Sequence, residues 1–179
     1  MSIKKVQLIL LCEDKQHKSF VYRFLKKRGL QYINPRVKIS PMGNGSGEQY
    51  VRKVFTQELN YYRKRTTNAV FIVMIDGDTV GVNGRIGQLK QECEKRNIQF
   101  RQEDEAVMIA VPTRNIETWI HFLDSNDVNE IKPYPKLPKE RDCQPAVDKL
   151  VEICQNKEPV IGCPSLAAAC EEYKLVFRK

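Results

Sequence analysis

The sequence predicts an α/β protein with a mainly parallel four-stranded sheet flanked by helices. Two observations carry the prediction. Apolar runs near residues 6–12 and 69–75 each lead directly into an acid, the pattern of strands buried on both faces. Segments with apolar residues at helical spacing follow each run, and this alternation implies strand–helix–strand crossovers.

The first strand is expected over 6–13. From 15 to 28, Phe20, Val21, Phe24 and Leu25 recur at helical spacing, while Lys18, Arg23, Lys26, Lys27 and Arg28 fall largely on other faces. Gly29 stops that helix. A short alternating strand, Arg-Val-Lys-Ile, lies within 35–39. The glycine-rich loop 41–47 comes next, and Ser46 and Gln49 have capping-box spacing, which starts a second helix. Tyr50, Val51, Val54, Phe55 and Leu59 form its apolar stripe. The central strand is 69–75. After it come a helix over 85–96 with Ile86, Leu89 and Cys93 inward, a strand over 106–111, and a helix reached through Pro112-Thr-Arg-Asn115. That last helix buries Ile116, Trp119, Ile120 and Leu123. Pro133, Pro135 and Pro138 then mark an irregular connection, followed by short helices near 144–155 and 164–173. Residues 1–125 read as the α/β core, and 126–179 as a helical C-terminal extension of the same domain.

A chain of 179 residues has room for one well-buried core. No apolar run approaches the roughly 20 residues of a membrane span. The N-terminus lacks a small-residue cleavage site and reads as the lead into a strand rather than a signal peptide. The six cysteines form no Cys-x-x-Cys pair and have no histidine at zinc spacing, so reduced thiols in a cytoplasmic protein are expected. Charge is unevenly placed. Residues 1–65 carry 15 Lys/Arg against 4 Asp/Glu, whereas 66–179 carry 15 against 18. A basic first half points to a polyanionic partner, DNA or RNA.

Asp76 and Asp78 leave the central strand two residues apart. In extended backbone such residues point to the same side, and Gly77 between them permits a turn or a close approach. The sequence offers no adjacent base to neutralise them, so they call for a cation or a shared proton. A hard divalent ion, Mg²⁺ or Mn²⁺, is the expected partner. Glu13 closes the first strand and Glu117 follows the fourth. Ligands of parallel sheets gather at this edge, and two-metal phosphoryl-transfer sites hold their ions roughly 4 Å apart.

With Glu13 in Leu-Leu-Cys-Glu13 and the pair in Ile-Asp76-Gly-Asp78, the chain resembles the Toprim domain over about residues 5–123. Val-Pro-Thr-Arg-Asn-Ile-Glu117-Thr-Trp is similar to the segment carrying an extra Glu in Toprim nucleases of the OLD type and of PARIS-type phage defence. Primases and topoisomerases usually follow the first Glu with Gly, whereas here Asp14 follows, which favours the nuclease-like branch. The resemblance implies a Mg²⁺- or Mn²⁺-dependent nuclease whose catalytic and metal-binding residues are Glu13, Asp76, Asp78 and Glu117. No Gly-x-x-x-x-Gly-Lys-Ser/Thr occurs, so an ATPase partner would be encoded separately.

Two other readings stand beside it. One is a catalytically silent Toprim-like adaptor that binds nucleic acid or an ATPase; three intact acids that repel phosphate count against it. In the other, Ile-Asp76-Gly-Asp78-Thr79-Val80 resembles the first motif of haloacid-dehalogenase-like phosphatases, with Asp76 as nucleophile and Asp78 as general acid. That motif normally lies on the first strand, and the reading leaves Glu13 unexplained.

For the nucleic-acid backbone, the expected contacts are Lys15 and Lys18 beside Glu13, Gly45 and Ser46 at a helix start, Arg52, Lys53 and Arg114. His17 is ambiguous. His121, one turn past Glu117, reads as a packed residue, and Trp119 as core.

Overall fold

A computed structural model of the chain describes residues 5–43 and 45–177. Asn44 of the glycine-rich loop and the first four residues of the expected strand lead-in lie outside them. Strands β1 (Lys5–Cys12), β2 (Gln31–Ile39), β3 (Ala69–Met74) and β4 (Val107–Ala110) form one all-parallel sheet in the order β2-β1-β3-β4. The helices are α1 (Lys15–Lys27), α2 (Gly47–Arg63), α3 (Gly81–Lys95), α4 (Ile116–Ser125), α5 (Gln144–Asn156) and α6 (Pro164–Phe177), with a 3-10 turn at Glu140–Cys143.

Period-2 alternation divides the central strands between two cores. Leu8, Leu10 and Cys12 of β1 and Val70, Ile72 and Met74 of β3 pack with α1, α4, α5 and α6. Ile9, Leu11, Phe71 and Val73 pack on the other face against Val51, Phe55 and Leu59 of α2 and Leu89 and Cys93 of α3. Both faces are covered, so these strands read as unbroken apolar runs.

Three elements differ from expectation for local reasons. β2 begins at Gln31, four residues early, because a bulge admits Asn34 (φ 46°) and Pro35 opposite a single residue of β1. α3 starts at Gly81 rather than 85; glycines at 81, 84 and 87 weaken its helical signal. Ser46 precedes α2 as expected, but no capping box forms. Its hydroxyl donates to Glu48 Oε1 at 3.1 Å instead. α1 does have a capping side chain, since Asp14 accepts from the His17 N–H at 2.9 Å.

The extension shares the core. α5 packs on α1 and α4, and Val147, Leu150, Leu166 and Ala169 join the core on that face. α6 lies along β4, where Glu172 accepts from the Ile109 N–H at 3.1 Å and from both terminal nitrogens of Arg101. Trp119 is buried and donates to Ser165 Oγ at 2.7 Å. All six cysteines are free thiols. No helix among the described residues is long and apolar enough to cross a membrane.

Candidate active site

β1 and β3 are parallel neighbours with Cys12 opposite Met74, so Glu13 and Asp76 leave the sheet side by side. The Asp76 N–H donates to Glu13 Oε1 at 2.6 Å. Beyond β3 the chain keeps pairing with the segment after β4. The Gly77 N–H donates to Pro112 O at 2.8 Å and the Asp78 N–H to Arg114 O at 3.2 Å. Asp78 (φ 46°) and Arg114 (φ 68°) face each other in an isolated bridge, and both hold left-handed backbone. Such backbone costs a non-glycine residue about 1–2 kcal/mol and concentrates at functional positions.

The extended geometry expected of Asp76 and Asp78 therefore does not hold. β3 ends at Met74 and the backbone turns at Asp78. Asp76 lies inside, its side chain 15% exposed, while Asp78 faces solvent at 53%.

Each aspartate also has a base, contrary to the sequence reading. His17, fully buried one turn after Glu13, places Nε2 3.0 Å from Asp76 Oδ1. Burial works against charge on this ring, but Asp76, then Asp14 and Glu13, outweigh it and lift the imidazole to about 9. The Glu13 N–H donates to Nδ1 at 3.4 Å. His17 thus bridges the two strand exits, Nδ1 facing the Glu13 amide and Nε2 the Asp76 carboxylate.

Arg85 serves the outer aspartate. It is 3% exposed and places Nη2 2.8 Å from Asp78 Oδ2, Nη1 2.8 Å from Glu48 Oε2, and Nε 2.8 Å from the Asp76 carbonyl. Arg52 Nε reaches the same Glu48 oxygen at 2.6 Å. Burial opposes it, yet Arg52 and Arg85 hold Glu48 below the ordinary carboxylate range.

The remaining acids are under-compensated. Burial, then Asp76, pushes Glu13 up to about 7, against a smaller pull from His17. Burial, then Asp76 and Asp14, raises Glu117, which is buried at the start of α4. Asp78 is raised by burial and Asp76 despite Arg85. Burial leads each of these shifts, and neighbouring carboxylates add to it.

No protein-family model, curated protein or solved structure matches this chain.

Tested against a divalent cation, the acids fit in donor chemistry. Glu13, Asp76, Asp78 and Glu117 are hard oxygen donors whose mutual repulsion a cation relieves. They do not yet enclose one: among the described residues, no three acidic, imidazole or thiol side chains form a group able to hold an ion. His17 and Arg85 engage Asp76 and Asp78 instead.

The expected nucleic-acid contacts separate. Lys15 and Lys18 line a basic cleft along α1. Arg114 lies beside Asp78 and lowers its proton affinity. Gly45, Ser46 and Lys53 are exposed around the start of α2. Arg52 is bound twice to Glu48, so it is not a free phosphate contact. His121 stacks on Tyr134 with centroids 4.2 Å apart and takes no part in the site.

Arg85 is a residue of the candidate site that the sequence reading missed, and His17 one that it left ambiguous. The i, i+4 spacing from Glu13 was the available signal for His17. Gly47 is a third. A β-carbon there would stand 2.8 Å from both Cβ and Oε2 of Glu13, so α2 approaches the acid only because this residue has no side chain. Gly47→Ala is expected to cost about 1–3 kcal/mol through this overlap. Thermal unfolding checks it, and an unchanged midpoint would refute the close packing.

Proposed function

We propose that this chain is a nuclease that hydrolyses phosphodiester bonds in DNA or RNA with Mg²⁺ or Mn²⁺. The observation that carries the reading is the contact of Glu13 with Asp76 and of Asp76 with one buried histidine at the C-terminal edge of a parallel sheet, beside a basic helix and with Glu117 close enough to feel their charge. The likeness to Toprim nucleases in the same residues supports it.

Asp76, Asp78 and Glu117 would hold the metal, with Glu13 sharing it or acting as base. When bound, the ion would lower the pKa of an attacking water and offset charge on the phosphate. Glu13, pushed up to about 7, is matched to accept a proton near neutral pH. His17 fixes the orientation of the Asp76 carboxylate, and Arg85 that of Asp78. Arg114, beside Asp78, would offset charge developing on a substrate phosphate. A separately encoded ATPase partner, a role in phage defence and a cytoplasmic location belong to the same proposal and rest on the resemblance.

The test is cleavage of labelled DNA and of total RNA with Mg²⁺ or Mn²⁺, wild type beside Asp76→Ala. Wild type is expected to cleave, and the variant to lose activity by about 10²–10³-fold or more while keeping or strengthening binding. Retained cleavage by the variant would overturn the assignment. Binding without cleavage by either protein would favour the adaptor.

A further inference from the structure

Along α1, on the side away from the sheet interior, runs an open cleft of about 910 Å³. Its walls include Lys15, Lys18, Arg23, Lys26, Tyr22 and Tyr32, with Glu140 the one acidic residue among them. No carboxylate among the described residues pairs with Lys15, Lys18 or Lys26. Arg23 bonds neutral oxygens, of Ser19 and Gln144, and its charge also reaches Asp148 without a direct ion pair. Lys27, at the far end, pairs with Asp148 across exposed surface, where such a contact is weak.

Two aromatic rings lie among these cations. Tyr22 of α1 and Tyr32 of the edge strand β2 meet with centroids 5.1 Å apart and planes tilted by 38°. Lys18 Nζ stands 5.4 Å from the Tyr22 centroid. Neither phenol hydroxyl bonds to a described residue. From Lys15 to Lys27 the helix advances about 18 Å, enough for a short run of nucleotides. The cleft begins at Lys15, two residues from Glu13, and leads away from the acids.

Cations alone would suit any polyanion. Cations with an aromatic platform between them suit a strand whose bases are unstacked, because a duplex keeps its base faces inside and presents phosphate. We propose that this cleft binds single-stranded nucleic acid, with backbone phosphates on Lys15, Lys18 and Lys26 and a base against the Tyr22–Tyr32 pair. Delivery of that strand to Glu13 and Asp76 rests on the nuclease reading; the binding itself does not.

The experiment is fluorescence anisotropy of the full chain with a labelled 12-nucleotide oligothymidylate and a 12-base-pair DNA duplex. It is run in EDTA over a salt series. The single strand is expected to bind at least about 10-fold more tightly than the duplex, since stacking adds only to the former. Tyr22→Ala and Tyr32→Ala should each weaken it about 10-fold and leave duplex binding unchanged, with Tyr22→Phe retaining affinity. Lys26→Glu, at an exposed position that spares the fold, should weaken both ligands and reduce the salt slope by about 1. Equal binding of strand and duplex, wild-type affinity in the tyrosine variants, or equal competition by poly-glutamate would overturn the proposal. The last result would assign the cleft to an acidic protein segment. Metal is absent throughout, so single-strand binding without cleavage in the nuclease assay would remove the nuclease reading and leave this one. Cleavage without such binding would do the reverse.

Discussion

Arg85→Met is expected to lower stability by about 2–3 kcal/mol and the unfolding midpoint by about 5–10 °C. The guanidinium is almost wholly buried and satisfies the Asp76 carbonyl, Asp78, Glu48 and Gln88 together. Methionine fills much of the volume but leaves these acceptors facing one another. Breaking a fully buried pair costs about 3–5 kcal/mol. The smaller figure applies because Asp78 is half exposed and rehydrates, and because Glu48 keeps Arg52. Arg85→Lys should not restore the loss, since an ammonium cannot reproduce a fork that reaches four groups in fixed directions. Thermal melts of the three proteins decide it. A shift below about 1 °C in the methionine variant would show that the network contributes nothing.

Without divalent cations, stability is expected to fall as pH rises from about 5 to about 9. Glu13 titrates near 4.5 when unfolded and at about 7 when folded. Between those values the folded chain holds a proton that the unfolded chain has released, so raising the pH favours unfolding. His17 repeats the pattern one window higher, from 6.5 unfolded to about 9 folded. Its ion pair with Asp76 contributes fully below about 6.5 and is lost as pH passes about 9. Each unit of displacement is worth about 1.4 kcal/mol, so midpoints should drop by several degrees across the range. Divalent ions bind the deprotonated acids, so Mg²⁺ or Mn²⁺ should stabilise little at pH 5 and by several degrees at pH 8. A flat profile in EDTA, or an ion effect independent of pH, would remove the acid cluster as the cation site.

The sequence exposed what two-sided burial dictates. β1, β3, α1 and α4 were readable because their apolar residues follow the strand and helix periods without interruption. Adjacency of Glu13 and Asp76 depends on β1 and β3 being neighbours, which the sheet order shows. The first half of β2 was obscured because Asn34 and Pro35 are poor strand residues that only an edge bulge accepts. The direction of Asp78 was hidden too, since the i, i+2 rule holds for extended backbone and the chain turns there. Arg85 looked like an ordinary helix position because its partners come from α2 and the β3 exit, across the fold. Arg52 was misread for a simpler reason: Glu48 stands four residues before it, a spacing that pairs the two along one helix.

The two margins of the sheet bear on how copies of this chain can associate. On one side, the row of amides along β2 is interrupted by Pro35, which has no N–H, and by the bulge around it. On the other, Glu172 already accepts the Ile109 N–H of β4, and Arg101 donates to the Val107 carbonyl at 2.9 Å. Neither margin offers the uninterrupted ladder that strand addition needs. Strand addition at either margin is therefore disfavoured, and the described sheet is guarded at both ends against edge-to-edge aggregation.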